Sequence, residues 1–445
     1  MRKSSKGARD LKVVNPNAAG IDLGAQTHYV AVPEGRGGRP VESFGCVTAE
    51  LVRMSNWLKA CGVDTVAMEA TGVYWVPVCA VLEDQGLHVI LVDPRQVKNA
   101  KGRKTDVQDS AWIQKLHSFG LLAAAFRPAV EIQEVRDYCR YRGDLVRSAA
   151  TQIHLMQKSL EQMNVQLHKV LSDITGVSGL RILRAIVNGE REAEQLAALS
   201  TTGIQASRKE VAEALRGHYR EQHVFTLSQA LKTFDFIHER IRECDTAIEA
   251  TLKRFKSKSE TPPIVPPKKK GKNQPHFHLS QELARITGVD ITQIPGISAL
   301  TAQTVVAEVG IDMSAFPSEH HFASWLGLAP NNKKTGGRIF SSRTKSRPSP
   351  AAIALRMAAL ALQRSKSALG DRFRRLRARI GTPKAITALA HLLAKLCFRA
   401  FNRGVDFLQK GLDALDAQTN LHKIQALERR AAHLGYRVIP VPRLA

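Results

Sequence analysis

The chain has 445 residues, 65 of them Lys or Arg and 40 Asp or Glu, for a formal net charge of +25 at pH 7. So basic a polypeptide calls for a polyanionic partner, and nucleic acid fits better than an anionic membrane surface. A hydrophobic fraction of 44% supports packed cores, roughly two to three domains at this length, while no apolar run reaches the ~18 residues of a membrane span and the basic start lacks the apolar segment of a secretory signal.

Residues 1–17 read as a flexible basic tail. From Ala19 the pattern is strand-like. GIDLGAQTHYVAV, a Gly/Arg-rich turn (EGRGGRP) and VESFGCV make a hairpin. An amphipathic stretch runs from Ala49 to Cys61. A strand (DTVAMEA), a helix from Val73 to Gln85, a strand (LHVILVD) and a helix starting near Thr105 follow. This alternation predicts an α/β domain with a covered sheet over residues 18–130.

Residues 131–256 predict a helical arm. Val146, Ile153, Leu160, Leu167 and Ile174 are spaced by seven, with Ala149, Met156, Met163 and Val170 at the partner positions. That is a heptad over four repeats without Pro or Gly. Leu227, Phe234, Ile241, Ile248 and Phe255 repeat the spacing, less purely, because His238 and Asp245 fall among the partner positions. Two readings bury the same seam: long helices packed within one chain, or a coiled coil that also joins two protomers. Residues 257–278 are Pro- and Lys-rich and read as an extended, charged linker. Its Lys268, Lys269, Lys270 and Lys272 are either a solvated tether or phosphate contacts. Residues 279–412 predict a helical domain rich in Ala, Leu, Arg and Lys, and 413–445 a C-terminal tail.

The six cysteines form no CxxC pair and the fifteen histidines no HExxH or HxxxH cluster. The thiols read as reduced packing residues of a cytoplasmic protein, and a zinc enzyme is disfavoured.

Four carboxylates stand out. Asp22 lies in an apolar strand, where a charge is costly without a partner such as a metal. Glu69 ends the apolar run VAME. Asp106 and Asp109 sit at i and i+3, on one face of a helix. Carboxylates at strand ends joined by two from a helix suit divalent ions bound for phosphoryl transfer. The structural alternatives are Asp22 as a turn cap and Asp106 as a helix N-cap, with Asp109 in the favourable first turn.

GIDLGAQTH, MEATGVYW and DPRQVKNAKGRKTDVQDSAWIQKL, from about Gly20 to Leu122, resemble the N-terminal domain of the IS110/IS1111-type (DEDD) transposases. The resemblance implies an RNase H/RuvC-like fold, Mg²⁺ (or Mn²⁺) held by Asp22, Glu69, Asp106 and Asp109, a homo-oligomer assembled through the coiled coil, and guidance by an element-encoded non-coding RNA. Arg103 and Lys104, ahead of the helix, read as phosphate contacts.

GVDITQIPGISALTAQTVVAEVG reads as a helix–hairpin–helix with its turn at Pro295–Ser298, placing Gly296 and Ser298 at a phosphate, or as an ordinary helical turn with a glycine for its conformation. The stretch FASWLGLAPNNKKTGGRIFSSRTKSRPSPAAIALRMAALAL resembles the C-terminal domain of the same family, which extends here from about Leu283 to Arg403. In that family a flexible loop after LGLAP carries a serine nucleophile. Here the matching position is Thr335, a departure, with Ser341 and Ser342 as alternatives and no covalent nucleophile as a third. Lys334, Gly336, Gly337, Arg338 and Arg343 surround it and read as nucleic-acid contacts. Arg374 and Arg375, in the basic run from Arg372 to Arg379, read as phosphate contacts or as a solvated helix face.

The expectation is therefore a DNA transposase or recombinase of an insertion sequence, acting on donor and target DNA in the bacterial cytoplasm at the nucleoid, without a membrane. It has a RuvC-like catalytic domain, a coiled-coil arm and a helical C-terminal domain. The rivals are a RuvC-like Holliday-junction endonuclease without a covalent intermediate, a sugar-kinase-type ATPase, which should show further Gly-rich phosphate loops, and a non-catalytic nucleic-acid scaffold.

Overall fold

The computed structural model describes residues 12–439, apart from 71, 98–104, 202, 268–270, 272 and 346–348, and only the backbone of 405, 406 and 408. The chain divides into two compact units, Met1–Arg127 and Pro128–Ala445.

The first unit is built on a five-stranded sheet of β1 (Ala18–Leu23), β2 (Thr27–Ala31), β3 (Val41–Gly45), β4 (Thr65–Glu69) and β5 (His88–Val92), in the order β3-β2-β1-β4-β5. The first three strands are antiparallel neighbours, and β4 and β5 run parallel to β1. This mixed sheet flanked by helices is consistent with the expected RNase H-like fold. The stretch expected as one long first strand is two, β1 and β2, because the chain turns at Gly24–Gln26, where the Gly24 amide bonds the Thr27 carbonyl at 3.1 Å.

Side chains alternate between the two faces of the sheet, as the pleat requires. Ala19 and Ile21 of β1, Val66 and Met68 of β4, and Val89 and Leu91 of β5 enter one core with α1 (Thr48–Ala60) and α2 (Trp75–Asp84). Ala67 and Val92 point the other way. They pack with Val97 of the short α3 (Pro94–Val97) and Ile113 of α4 (Asp106–Ser118). Helix α4 lies directly on β1. Its Gln114 amide donates to the Ala18 carbonyl at 3.2 Å. A Cβ added to Gly20 would stand 2.2 Å from the Gln114 nitrogen and 2.6 Å from the Ser110 carbonyl oxygen. Only glycine lets the two backbones meet this closely.

Part of the expected tail is held. The Val14 and Asn15 amides both donate to the Ser118 carbonyl at 2.9 Å, the Asn15 side chain bonds the His117 carbonyl, and Asn17 bonds Asp64. Residues 1–11 lie outside the described residues.

The second unit is helical. α5 (Val130–Gln162) and α10 (Glu221–Arg254) run antiparallel, and α6 (Leu167–Val170), α7 (Val177–Val187), α8 (Ala193–Ala198) and α9 (Arg208–Leu215) share their core. Ala149, Met156 and Leu160 of α5 meet Leu227, Phe234 and Ile241 of α10. The expected four-repeat heptad is not continuous. α5 stops at Gln162, Asn164 takes a left-handed backbone (φ 54°), and the Met163 carbonyl accepts from the His218 amide instead of continuing a helix. Leu167 and Ile174 are buried in the same core from separate segments.

The C-terminal part of this unit carries α11 (Leu279–Thr287), α12 (Ala299–Val309), α13 (Glu319–Trp325), β6 (Lys333–Thr335), β7 (Arg338–Ser341), α14 (Pro350–Ala361), α15 (Ala368–Ile380) and α16 (Thr382–His433), the last interrupted at Gly404. Charged groups fasten the long helix pair to it. Arg140 makes two 2.9 Å bonds to Glu308 at the end of α12, and Arg136 donates to the Ala307 and Glu308 carbonyls. Buried Arg142 joins Asp245 of α10 at 2.5 Å and the Asn273 carbonyl at 2.8 Å. The expected linker is thus pinned where it is described: Gln281 also bonds the Val265 amide and the Pro263 carbonyl, and Val265 is buried. Lys268, Lys269, Lys270 and Lys272 lie outside the described residues. The expected tail 413–445 is helix as far as His433, and it packs on α15 through Asp416, which accepts from the Ala368 amide, and Lys423, which pairs with Asp371. Among the described residues no helix is long and apolar enough to cross a membrane.

Gly20→Ala forces α4 off β1. Chemical denaturation should show a loss of about 2–4 kcal/mol, the range of a severe overpacking clash. A variant as stable as the parent would mean that α4 does not sit on Gly20.

A candidate active site of four carboxylates

Asp22 follows Ile21, which pairs with Met68 in the parallel β1–β4 register, so Asp22 and Glu69 come side by side at the ends of neighbouring strands. Both follow the alternation of Gly20 and Ala67, which places them on the α4 face. Helix α4 runs opposite to β1, with Gln114 over Ala18 and Ser110 over Gly20. Its first turn, with Asp106 and Asp109, therefore reaches the end of β1 where Asp22 stands.

The helix starts here because Thr105 caps it. The Thr105 hydroxyl accepts from the Gln108 amide at 3.3 Å. Asp106 is thus the first residue of the helix, not its cap, and Asp22 is a strand residue paired with Tyr29, not a turn cap. Asp106 and Asp109 both lie in the first turn, where a negative charge is favourable, as the structural alternative has it for Asp109. At the other end of α4, the buried His117 bonds the Thr65 hydroxyl at 2.9 Å, and burial pushes its pKa down to about 4, so it anchors the helix as a neutral ring.

The carboxylates act on one another. Burial first, then the charges of Asp106, Asp109 and Glu69, push the Asp22 carboxyl up to about 6, with only a bond from the Leu23 backbone opposing. Among the described residues, no three His, Cys, Asp or Glu side chains stand at the spacing of a ready-made metal cage. The repulsion at Asp22 nevertheless fits a cation, since a positive charge among these four groups would relieve it.

An IS110-type DEDD transposase model matches residues 19–165, and a model of the IS116/IS110/IS902 transposase family matches residues 282–374. Between them they take in more than half of the chain. The chain belongs to the IS110 transposase family. It is an enzyme that acts on DNA. No curated protein matches it. The first match contains the whole carboxylate site and continues through α5, and the second spans the segment with the candidate hydroxyls.

That segment of the transposase is ordered as a ribbon, not the loop expected from its Asn, Gly and Lys content. β6 and β7 pair antiparallel around Gly336–Gly337, whose φ angles of 54° and 76° give the two-residue turn that suits a hairpin. Thr335 and Arg338 face each other across the turn, and Lys334 pairs with Ile339. Thr335, Lys334, Arg338, Ser342 and Arg343 are exposed, and the half-buried Ser341 accepts a 3.4 Å bond from the Arg343 amide.

Other expected nucleic-acid contacts have structural duties. Ser298 caps α12 by accepting from the Thr301 amide. Gly296, at φ 93°, lies against α14, where a Cβ would stand 2.8 Å from the Ala358 carbonyl oxygen. The segment before it holds a 3-10 turn at Ile291–Gln293 where the first helix of the hairpin motif was expected. Arg374 bonds the Gln363 and Ser365 carbonyls and pairs with Asp371, whereas Arg375 is exposed. Arg103 and Lys104 lie outside the described residues.

Two site residues were missed in the sequence. Tyr29 stands opposite Asp22 across β1–β2 and shares its face. Its place is set by the pairing register across the turn at Gly24–Gln26, which alternation along one strand does not give. Gly20 positions the acids without touching them. Its place two residues before Asp22, on the same strand face, was the available signal.

The raised Asp22 pKa has a sign that can be tested. The folded value of about 6 lies above the ordinary 3.8, so ionisation opposes folding. The penalty is absent below pH ~4 and complete above pH ~6. In chelator-containing buffer, Asp22→Asn should stabilise the protein at pH 7.5 by about 1 kcal/mol, a figure discounted for solvent screening at this half-buried site. At pH 4 it should change little. Thermal melts that show the same gain at both pH values would rule out charge repulsion as the cause.

Proposed function

We propose that this transposase performs metal-dependent cleavage and strand exchange on DNA, with a RuvC-like site made of Asp22, Glu69, Asp106 and Asp109. The observation that carries the reading is the placement of Asp22 and Glu69 at the ends of neighbouring strands beside the first turn of α4, which holds Asp106 and Asp109. The rise of the Asp22 pKa to about 6, from burial and the other three carboxylates, agrees with it. A site that repels itself in this way suits Mg²⁺, or Mn²⁺, held by these four side chains. When bound, the ion would polarise the scissile phosphodiester and offset its charge. Tyr29, across the strand from Asp22, would line the same face.

Thr335 supplies the attacking hydroxyl, with Ser341 and Ser342 as alternatives on the same hairpin. Its exposed place beside the tight turn supports this, as do Arg338 opposite it and Lys334 next to it, two cations for the phosphate. Gly336 and Gly337 keep the tip free of side chains, so a backbone can approach. Arg343 and Arg375 add exposed phosphate contacts. Gly296, Ser298 and Arg374 fit a supporting role, given their bonds and packing within the chain. Arg103 and Lys104 remain in the proposal as phosphate contacts ahead of α4.

The net charge of +25 suits two nucleic acids, donor or target DNA and an element-encoded guide RNA. The long helix pair would serve as a coiled coil between copies of the chain, for which exposed Leu155, Phe225 and Phe236 offer apolar surface. The setting would be the cytoplasm, at the nucleoid.

The deciding assay is strand exchange on a donor–target DNA pair with Mg²⁺ and the RNA encoded beside the gene. Asp106→Asn should lower the rate by more than the roughly 10–100-fold seen when a mere supporting partner of a metal site is lost. Thr335→Ala should abolish both exchange and the covalent protein–DNA adduct trapped on denaturation. A normal Thr335→Ala beside a dead Asp106→Asn would move the hydroxyl to Ser341 or Ser342. If the triple change of Thr335, Ser341 and Ser342 to Ala also cuts normally, the endonuclease without a covalent intermediate is correct. A fully active Asp106→Asn would remove the carboxylate site from the chemistry.

A further inference from the structure

The β6–β7 ribbon carries two apolar side chains that nothing in its own fold explains. Ile339 is 53% exposed and Phe340 66% exposed. A two-stranded ribbon has no further layer to cover them. Elsewhere in this unit Phe322 and Phe373 are fully buried, while Phe225 and Phe236 of α10 are exposed to a similar degree.

The pairing register singles out Phe340. Lys334 pairs with Ile339, but the next residue back, Lys333, pairs with Ser341. Phe340 is therefore the extra residue of a β-bulge, opposed by no residue of β6. Bulges bend the strand and re-aim a side chain, and they recur beside active sites. Here the bulge sits within a few residues of all three candidate hydroxyls.

Charge identifies the occupant. Between Glu319 and Asp371 the sequence contains no Asp or Glu, while Lys333, Lys334, Arg338, Arg343 and Lys345 lie on or next to the ribbon. A second copy of the chain would bring the same positive charges against these. A nucleic-acid duplex brings phosphates for the cations and stacked bases for the apolar pair. Phe and Ile are side chains that proteins insert between base steps, unstacking them and kinking the duplex.

We infer that the Ile339–Phe340 bulge is a wedge that enters between stacked bases of the DNA and opens the step beside the phosphate presented to the ribbon hydroxyls. The inference rests on the DNA reading above but goes beyond it: the ribbon distorts its substrate as well as holding it. Separating two bases frees the backbone between them to present one phosphate, which would select the position of attack by mechanics and not by base-specific hydrogen bonds.

The test uses the full chain, the RNA encoded beside the gene and duplex DNA from the element's own junctions, with 2-aminopurine placed at each position in turn. Wild type should raise the fluorescence at one step or two adjacent steps. Phe340→Ala should lose that rise and bind about tenfold more weakly, within the range for loss of one base–aromatic stack. Its slope of log affinity against log salt should not change, because no charge is removed. Phe340→Trp should restore the rise. Lys334→Ala should do the reverse, reducing the slope by about 1 while keeping the rise. Ile339→Ala, with thermal melts of every variant, separates wedging from folding, since these exposed side chains should leave the melts unchanged. A fluorescence rise undiminished in Phe340→Ala overturns the wedge. So does a Phe340→Ala chain that changes its self-association without DNA, which would make the occupant a second copy. If wild type neither binds the DNA nor unstacks it, the DNA reading itself fails and the wedge falls with it.

Discussion

The geometry of the first unit turns on how closely α4 approaches β1. Strand and helix backbones normally stay apart by the thickness of their side chains. At Gly20 that layer is missing, and the helix settles against the strand with Ser110 and Gln114 over the gap. The approach fixes both height and rotation of α4, because the Gln114 amide must also reach the Ala18 carbonyl. With the helix fixed there, the direction in which Asp106 and Asp109 point is no longer free. The Thr105 cap sets where the helix begins, and His117 tethers its far end to β4. Three contacts, none of them acidic, thus bring two helical carboxylates to two from the strands.

The result is an electrostatic strain that the rest of the unit must bear. Carboxylates crowded at a half-buried strand end resist ionisation, and Asp22 shows it. Strain of this kind is kept where function needs it. The other face of the sheet is largely apolar, with Ile21, Val66, Met68 and Leu91 buried against α1 and α2. The second unit handles charge differently. Its buried Arg142 and Asp245 are paired at 2.5 Å, and Arg142 also meets a backbone carbonyl. Such a pair contributes little net stability but strongly penalises any arrangement that separates its members. Together with Arg136 and Arg140 on Glu308, it fixes the register of the long helices relative to α12 and to the segment around Asn273.

Local chemistry decided what could be read from the sequence. The sheet strands and α4 were legible because alternation and helical spacing act over a few residues. The four acids were legible as a set because they end such elements. The heptad misled beyond Gln162, because seven-residue spacing continues through Leu167 and Ile174 while the backbone turns at Asn164. Burial preserved the pattern that helicity did not. The Pro- and Lys-rich segment read as a linker because composition cannot show that Gln281 grips its backbone from another element. The ribbon read as a loop for a similar reason. Its strands are three and four residues long, too short for alternation to register. The Gly-Gly pair was the one local sign of a hairpin turn, and it was read as flexibility instead.

Each unit is electrostatically incomplete in its own way, and the two deficits are opposite in sign. The carboxylate site gathers negative charge that Asp22 can hold at neutral pH only under strain. The ribbon and the stretch around it gather positive charge with no carboxylate between Glu319 and Asp371 to balance it. In the proposed reading each is met separately: a cation suits the acids, and phosphate suits the lysines and arginines of the ribbon. Charge of this kind is better understood as unfinished binding than as a defect of folding. In the first unit the acids are held by glycine, a threonine cap and a neutral histidine. In the second the long helices are fastened by paired ions.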